Sequence, residues 1–556
     1  MEARTSPETK AGQDMLLEKL EALADAHGGV QDPALFRTFL RCYYEMAALD
    51  TLTLRTPEEL LHIALQHWSF ARVRKPRTAQ LRVLPPGGAS HGGLAVVETC
   101  VEDQPFLVDS IVMAVRAAGA SVDWTVHPVL NLKRDGAGKI TAAAAADGGA
   151  AKGANESLIH LEFEPLGNAA AYTALEQHIH TVLDDLRCVV DDYPRTLERV
   201  RGLVEELKIV PPNGDAEDFA EAREFLAYLD QHHFTFLAMV ETQALPGEGG
   251  RTGFRTDAAS GLGLLRPGSR WAEEDLIAPQ AELDKYADSP RLVVVTKASL
   301  RSTIHRDELM DVVSVKRYAA DGTLAGTVRF VGLFSSEVYI DRPRHIPLIR
   351  RKAEYVVRRS RLPEGSHSGK NLRDILHGLP RDELFQAGED ELFALCMGIR
   401  ALRDRHGLRL FMRRDRYGRF YSFLVYLPRE RYSRELRDKV GAALLETCSG
   451  TALDRNVEFL RGGLMRVHYV VRTKAGTTIP YSAEEVEARV AAATRSWRDQ
   501  LRELLARDKL SPAKFVDAFP LSYTENATPQ EAAADVAYLA RLSPAEPVLP
   551  RLATQA

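Results

Sequence analysis

The sequence predicts an α+β protein built from several domains, each a small, mostly antiparallel sheet packed with helices. Three observations support this prediction. A length of 556 residues exceeds what one hydrophobic core usually organises. Alternating strand patterns interleave with helical patterns at least twice along the chain. A turn-forming stretch, Pro211 to Asp215, reads as a linker between two such regions.

Composition excludes several classes of protein. With 45% hydrophobic and 27% charged residues and a net charge of -5, the chain lacks the basic excess of a nucleic-acid binder. Its five cysteines are scattered without close pairs, which indicates reduced thiols rather than disulfides or a zinc site. The sequence contains neither a signal-peptide pattern nor an apolar run of membrane-spanning length. We therefore expect a cytoplasmic protein with no nucleic-acid or membrane partner.

Residues 1–80 form a predicted helical cap. Leu16, Leu20 and Leu23 recur at helical intervals, and Asp32-Pro33 marks the start of a further helix. An apolar stripe of this kind usually packs on a neighbouring domain or subunit and rarely holds a cofactor. We therefore expect the cap to pack on a neighbouring domain or subunit rather than to hold a cofactor.

Residues 81–205 predict a ferredoxin-like unit, the architecture of the ACT class of small-molecule-sensing domains. The Gly- and Ala-rich insertion at 136–155 has little to bury, so we expect a mobile hairpin extension. The predicted elements are a strand at 94–101, a helix at 104–118, strands at 122–132 and 158–163, a helix at 169–186 and a short closing strand at 188–190.

The start of the first helix in this unit is a candidate effector site. Helix N-termini present free N–H groups that can bind a carboxylate, and Asp103 and Pro105 suit the cap and the first turn. The alternative is that these residues only begin the helix, because nearby carboxylates repel an anion unless they bind its amino group. The candidate binding residues are Gln104, Phe106, Asp109 and Ser110.

Residues 216–345 predict an antiparallel sheet with helices on one side, which is PAS-like in character. Six cations in it, Lys316 and Arg317 among them, could form an anion pocket, because arginine offers paired donors, and we keep four of the six as candidate binding residues. The alternative is a structural ion network with the acids Asp307, Glu308 and Asp311. The four candidate cations are Lys297, Arg301, His305 and Arg306.

The rest of the chain predicts a helical connector at 346–405, a second ACT-like unit at 406–475, helices at 480–545 and a disordered tail at 546–556. Gly365 to Lys370 has the wrong spacing for a phosphate-binding loop, and Gly261 to Arg266 lacks the third glycine of a dinucleotide fingerprint. We therefore expect no catalytic, cofactor-binding or metal-binding residue in this chain.

Several long motifs resemble the large NAD-specific glutamate dehydrogenases of bacteria. They include QPFLVDSIVMAV at 104–115, YLDQHHFTFLA at 228–238, the block at 296–339 and RRDRYGRFYSFLVYLPRERY at 413–432. The resemblance covers most of the chain and implies ACT-like and PAS-like modules of the N-terminal half of such an oligomeric enzyme. It implies that NAD is bound by a catalytic part that is not present, so no catalytic residue can be transferred to this sequence.

The resemblance therefore predicts a regulatory and oligomerisation portion of a glutamate dehydrogenase, inactive alone and partnered by the catalytic part or other subunits. We expect a homo-oligomer with an amino-acid effector. The alternative is a free-standing amino-acid sensor whose ACT-like units trap an effector and shift a partner's equilibrium.

Overall fold

The computed structural model describes residues 7–28, 30–87, 91–146, 153–212, 214–246, 252–271, 286–287, 289–363, 365–404, 408–460, 463–474, 476–495, 497–507, 515–542 and 548. It divides into two compact units. The first comprises residues 1–351 and 380–385, and the second comprises 352–379 and 386–556.

The first unit begins with a cap of four helices: α1 (Pro7–His27), α2 (Pro33–Glu45), α3 (Leu49–Leu52) and α4 (Pro57–Ala71). Thr56 and Glu59 form a reciprocal capping box that fixes the start of α4. Buried side chains on α1, α2 and α4 share one hydrophobic cluster with Trp124, Leu130 and Leu158 of the following sheet. The apolar stripe thus packs on the next domain, one of the two outcomes expected from the sequence.

The sheet under this cap has six strands with an intervening helix and a long final helix. Its elements are β1 (Gln80–Leu84), β2 (Ala95–Glu102), α5 (Leu107–Ala117), β3 (Val122–Val126), β4 (Val129–Arg134), β5 (Ile140–Ala145), β6 (Ala154–Phe163) and α6 (Ala169–Glu206). The strand order is β1-β2-β6-β4-β5, with β3 also paired to β6. All of these pairings are antiparallel.

The predicted closing strand at 188–190 is wrong. Residues 188–190 lie inside α6, whose buried side chains Leu186, Val189 and Asp192 follow a helical spacing. The β-branched pair Val189-Val190 suggested a strand locally, but packing of one helix face overrides this weak preference. The position of a closing strand is taken by β1, which pairs with β2 from Gln80↔Cys100 to Leu84↔Val96.

The start of α5 also differs from the prediction. The helix begins at Leu107, so Asp103 does not cap it and Pro105 does not occupy its first turn. Phe106 is the residue before the helix, with φ 68°. The predicted strand at 122–132 is two strands, because the chain breaks at His127-Pro128.

The Gly- and Ala-rich insertion contains a hairpin, as expected. Strand β5 pairs with β4 from Leu130↔Ala145 to Arg134↔Ile140, and Ile140 is buried in the core below the cap. Residues 147–152 of the insertion lie outside the described part of the chain, so its expected mobility stays a prediction.

The second sheet of the first unit follows α7 (Ala216–Tyr228) and one π-helical turn, Leu229–His233. Its antiparallel strands have the order β8-β7-β11-β10-β9. The sequence missed β8, since its first half is polar, and it predicts shorter strands at 292–296, 312–318 and 326–331 in place of the last three. These strands are β7 (Phe234–Pro246), β8 (Thr252–Gly263), β9 (Val293–Arg301), β10 (Leu309–Tyr318) and β11 (Leu324–Phe334).

The second unit contains a four-stranded sheet, and its elements confirm the strands at 409–413, 419–426, 452–460 and 465–471 and the helix at 433–448 that the sequence predicts. Its elements are β12 (Arg409–Arg414), β13 (Phe420–Pro428), α13 (Arg434–Thr447), β14 (Ala452–Phe459), β15 (Leu464–Arg472) and α14 (Ala483–Ala493). The strand order is β12-β13-β15-β14, all antiparallel. This repeats the topology of the first sheet. In each sheet an N-terminal strand, β1 or β12, forms one edge and pairs with the strand that leads into the first helix, β2 or β13.

Helices complete the chain. Four short ones are α8 (Ser336–Ile340), α9 (Ile349–Ser360), α10 (His367–Gly378) and α11 (Arg381–Gln386), followed by α12 (Glu389–Arg400). After α14 come α15 (Trp497–Arg507), α16 (Leu521–Asn526) and α17 (Pro529–Leu539), which share a separate small core. The predicted tail at 546–556 lies outside the described residues except for Val548.

Both faces of the sheet in the second unit are covered. Every residue of β13 is buried. On one face, Phe423 and Val425 join a cluster with side chains of α13 and α14. On the other, Arg466 donates a hydrogen bond to the carbonyl of Gly378 at the end of α10, and Gly398 of α12 lies against the ring of Phe411.

Across the part of the chain that the structure describes, no helix is long and apolar enough to span a bilayer.

We predict that Gly332→Ala destabilises the first unit. A Cβ built at Gly332 would lie 2.0 Å from the backbone oxygen of Thr235 and 2.6 Å from the ring of Phe234, so the paired strands must move apart. We expect a loss of about 1–3 kcal/mol in the free energy of unfolding, measured by urea denaturation.

The matched control is Gly202→Ala in α6, where the added Cβ meets only an arginine side-chain nitrogen at 3.6 Å. Alanine favours helix over glycine, so this variant should be as stable as the parent or up to about 1 kcal/mol more stable. Equal behaviour of the two variants would contradict the prediction.

Candidate functional site

The candidate effector site at the start of α5 has an unusual backbone. Phe106 adopts the left-handed region, and no side chain in the described sequence caps the helix. Ser110 is fully buried, and its hydroxyl donates a hydrogen bond of 2.7 Å to the carbonyl of Phe106. A bulky residue in this backbone region persists only where its surroundings hold it there.

The surroundings are supplied by the turn between β9 and β10. The backbone N–H of His305 donates to the Ser110 hydroxyl at 3.2 Å, and its Nδ1 lies 3.3 Å from the Asp109 carboxylate. The rings of His305 and Phe106 are 4.5 Å apart between centroids. His305 itself has φ 68°. Two segments about 195 positions apart in sequence therefore hold each other in strained conformations.

Four of the eight candidate residues are thus brought together: Phe106, Asp109, Ser110 and His305. Gln104 lies half-buried in the turn before α5. The sequence placed these residues in two separate candidate sites, and the structure joins the loop of one domain to the hairpin tip of the next.

The remaining three cations lie in ion pairs with the acids that the sequence offered as the alternative. Arg301 pairs with Asp307 at 2.5 Å, and Arg306 lies 3.7 Å from Glu308. The Lys297 ammonium is 2.8 Å from Asp311 and 3.1 Å from Asp382 at the start of α11. The pairing matches the structural ion network rather than an open anion pocket.

Lys297 and Asp311 are buried, and burial opposes the charged form of each side chain. Burial opposes the charge of Lys297, but Asp311 and Asp382 outweigh it and raise the pKa of the lysine well above its ordinary value. Burial raises the pKa of Asp311 to about 7, against the lowering effect of Lys297. One ammonium thus serves two carboxylates in a site with little access to water.

A second polar group, which sequence reasoning missed, lies between the cap and the first sheet. Arg82, Glu98 and His160 occupy directly opposed positions on β1, β2 and β6. Arg82 Nε donates to Glu98 at 2.7 Å, and His160 Nδ1 lies 3.0 Å from the other Glu98 oxygen. Glu162, two residues further along β6, accepts a 2.5 Å hydrogen bond from Arg55. We call these five residues the buried ionic row.

His67 of α4 lies beside the buried ionic row but is bonded elsewhere. Its Nε2 donates to the backbone carbonyl of Thr99 at 2.9 Å, because a carbonyl can only accept. Its Nδ1 therefore carries the lone pair and accepts from the Tyr43 hydroxyl at 2.7 Å. Burial lowers the pKa of His67 to about 4, which keeps this ring neutral.

His67, Glu98 and His160 offer ligand atoms within 4.8 Å of one another, the spacing of a metal site. Their donor atoms are already engaged, however. Both nitrogens of His67 are hydrogen-bonded, and Glu98 is bonded to Arg82 and His160. The set fits a hydrogen-bonded ionic row better than a zinc site, in which neutral imidazoles must turn lone pairs to the ion.

One sequence signal could have indicated this row. The strand at 94–101 places Glu98 between apolar residues, and His160 and Glu162 alternate with Ile159 and Leu161 on a strand otherwise apolar. Charged residues at alternate positions of a buried strand share one face. That face would then have to meet complementary charges under the cap.

The geometry defines a class of protein. Two sheets share the ferredoxin-like strand order, one in each unit, and each has helices on both faces. The described residues present ionic and hydrogen-bonded clusters rather than a nucleophile with its base. This is the architecture of a multidomain α+β protein with two ferredoxin-like sheets.

Family comparisons agree with this class and make it specific. Residues 39–179 match the glutamate dehydrogenase ACT1 domain, and 409–498 match the ACT2 domain. Residues 346–405 and 508–542 match helical motifs 1 and 2 of the same enzyme. Together with the relatives below, these matches support assignment of the chain to the NAD-specific glutamate dehydrogenase family.

The relatives are NAD-specific glutamate dehydrogenases. That of Halomonas elongata is 31% identical over 96% of this chain and 34% of its own length. That of Pseudomonas aeruginosa is 31% identical over 97% and 34%, and that of Mycobacterium tuberculosis is 24% identical over 82% and 27%. The chain therefore spans about a third of the length of these relatives.

A solved structure of PelD from Pseudomonas aeruginosa covers 59% of this chain and 86% of its own, with 16% identity and a TM-score of 0.12. A likeness this low says nothing about the fold.

We predict that Lys297→Met strongly destabilises the first unit. The variant leaves two carboxylates, Asp311 and Asp382, near each other without their shared cation. Breaking a buried pair in this way costs about 3–5 kcal/mol, to be measured by urea denaturation. Adding Asp311→Asn to the same variant should recover part of the loss.

The control for this experiment is Lys208→Met, which removes an exposed lysine paired with Glu205 at 2.6 Å. Exposed pairs contribute little, so its midpoint should stay near that of the parent. A mild effect of Lys297→Met would show that the buried pair is not required.

We also predict acid lability of the cap. His67, with its pKa lowered to about 4, stabilises the folded state above its ordinary pKa near 6.5, and this contribution is lost as pH falls to 4. The loss amounts to roughly 3 kcal/mol. His67, His160 and Arg82 overcome burial and lower the pKa of Glu98 to about 2, so its contribution is lost in turn between pH 4.5 and 2.

The check is unfolding free energy measured at steps from pH 7 to 4 for the parent and for His67→Gln, which keeps a donor without a titrating group. The parent should lose stability over this interval by more than the variant does. Parallel curves would refute the role of His67.

Proposed function

We propose that this chain is the regulatory and oligomerisation portion of a large NAD-dependent glutamate dehydrogenase. The reaction of that family would be oxidation of L-glutamate with NAD and water to 2-oxoglutarate, ammonium and NADH. In this proposal the chain binds effectors and neighbouring subunits, and the hydride chemistry belongs to polypeptide outside residues 1–556.

The observation that carries the proposal is the ordered set of matches. ACT1, helical motif 1, ACT2 and helical motif 2 follow one another along the chain, and their relatives are about three times as long. Gly261 lies within β8, where an added Cβ would be 1.9 Å from the backbone oxygen of Leu265. NAD would then be held by the other part of the enzyme.

The sheet between the two ACT-like units is PAS-like in this proposal. Counted along the chain, its strands have the spatial order second, first, fifth, fourth, third, the order of a PAS sheet. This supports a sensing role for residues 216–345, alongside the resemblance noted in the sequence.

We propose that the effector site includes Gln104, Phe106, Asp109, Ser110 and His305. A free amino acid suits it, because its carboxylate could bind the uncapped N–H groups of α5 while Asp109 binds its ammonium. His305 already contacts the same loop, so an effector would have to compete with the hairpin tip or bind beside it. Lys297, Arg301 and Arg306 would act indirectly, by holding that hairpin.

The alternative function is a free-standing amino-acid sensor. It is favoured by the same contact between two domains, since a ligand that loosens His305 would change how they meet. The two hypotheses differ in whether the chain needs a catalytic partner.

We predict that the purified chain with NAD and L-glutamate forms no NADH, as followed by the absorbance of reduced nicotinamide, because in this proposal the hydride acceptor is bound by polypeptide outside residues 1–556. Turnover by the chain alone would refute the proposal. Addition of the remaining two thirds of a family member, expressed separately, should restore turnover; failure to associate would favour the free-standing sensor.

Effector binding is tested in the same preparation by calorimetry with glutamate, aspartate and arginine. Asp109→Asn should weaken the binding of whichever amino acid binds, with Asp184→Asn on the exposed side of α6 as the matched control. Equal affinities of the two variants would remove Asp109 from the site without affecting the proposed enzyme family.

A further inference from the structure

The buried ionic row alternates in charge from one end to the other. Its order is Arg82, Glu98, His160, Glu162, Arg55, and the side chains of Glu98, His160 and Glu162 are at most 1% exposed. The row spans β1, β2 and β6, and it ends at Arg55 in the turn before α4. It therefore connects the cap to the sheet through charges rather than through apolar contact alone.

His160 is the centre of this row and faces a carboxylate at each ring nitrogen. Nδ1 lies 3.0 Å from Glu98 Oε1, and Nε2 lies 3.6 Å from Glu162 Oε1. A neutral imidazole has a proton on only one nitrogen, so the other would turn a lone pair toward a carboxylate. In a site closed to water that repulsion is weakly screened. At 3.6 Å the Nε2 contact with Glu162 is an ion-pair separation rather than a hydrogen bond, and two facing carboxylates favour the doubly protonated ring.

We propose that His160 is a proton-dependent lock on the helical cap: its imidazolium holds α1–α4 against the first sheet, and its deprotonation above neutral pH loosens them. The two carboxylates then lose the cation between them, while each keeps one arginine on its outer side. The apolar contacts of the cap remain, so the cap opens more often but does not unfold the sheet.

The other groups around His160 keep their charge state while it titrates. The pKa values of Glu98 and Glu162 are lowered, so both stay ionised. His67, with its ring 6.5 Å away, is neutral above pH 4. Burial raises the pKa values of Tyr43 and Tyr44. The remaining neighbours are Trp124 on β3, edge-on to His160 at 5.9 Å, Arg82, Arg55 and Asp123, which pairs with Arg55 at 3.2 Å.

The sign of the effect follows from the direction of the shift. Burial works to lower the pKa of His160, but contacts with Glu162 and Glu98 outweigh it and raise the pKa above its ordinary value. The stabilisation that the His160 imidazolium gives to the cap is therefore fully present below about pH 6.5, the ordinary pKa of an exposed histidine. It is lost as pH rises from there to the raised pKa. One proton is released per opening, so the opening equilibrium shifts up to about tenfold per pH unit in that interval.

The test is hydrogen exchange of α2 and α4 amides in the full chain, with observed rates divided by the intrinsic rate at each pH. We expect protection of these helices to fall between pH 6.5 and 9, by up to about tenfold per pH unit, while α13 in the second unit stays unchanged. The matched control is His62→Gln, which alters an exposed histidine of the same cap and should retain the parent's pH dependence.

Two variants distinguish a proton-dependent role of His160 from a role in packing alone. His160→Gln should open more at pH 6.5 and show no pH dependence above it. In Glu162→Gln only one ionised carboxylate, that of Glu98, faces His160. The pH dependence of protection in this variant should be shallower, even if its stability is near that of the parent. Protection that is flat from pH 6.5 to 9 in the parent, or unchanged pH dependence in His160→Gln, would overturn the proposal.

Discussion

The fold of the first unit depends on one pairing, that of β1 with β2. In a ferredoxin-like sheet the edge position beside the first strand is normally filled by the strand that follows the second helix. Here β1 fills it from the N-terminal side, with five consecutive pairs from Gln80 to Leu84. Because β1 already fills this edge, the chain after the second helix, α6, does not have to return to the sheet as a further strand. This accounts for the 38-residue length of α6, which continues past the sheet instead of ending at residue 186.

The extended part of α6 is what organises the next domain. Asp192, nearly buried within the helix, accepts a hydrogen bond from the backbone of Gly263 at 2.9 Å and pairs with Arg266 at 2.9 Å. Further along, Arg199 pairs with Glu241 on β7. Charged groups on one helix thus fix the end of β8 and the middle of β7. The same helix serves as the outer layer of one sheet and as the support of another, so the two domains of the first unit share a structural element.

Sequence reasoning succeeded where local pattern and packing agree. In the second unit, strands and helices recover the predicted order because alternation, turn residues and the Ser433 cap all indicate the same boundaries. It failed at β1 and at residues 188–190, where strand pairing far along the chain decides the outcome. It could name His305 and Asp109 but could not place them together, because a contact between residues about 195 positions apart leaves no local signature. The buried ionic row escaped for the same reason, since each charge on a strand looks isolated until its neighbours across the sheet are known.

The repeated topology also shows where the two ACT-like units differ. At the start of α13, the Ser433 hydroxyl accepts a hydrogen bond from the N–H of Leu436 at 3.0 Å, so this helix supplies its own cap. At the start of α5, the corresponding residue is Phe106 in a left-handed conformation, with its ring against His305. Since the sheet faces in both units are covered by helices, the helix starts are the places where the modules can differ in binding. In the proposed function, the start of α5, which lacks a side-chain cap, is the feature that would make the first module rather than the second the effector-binding one.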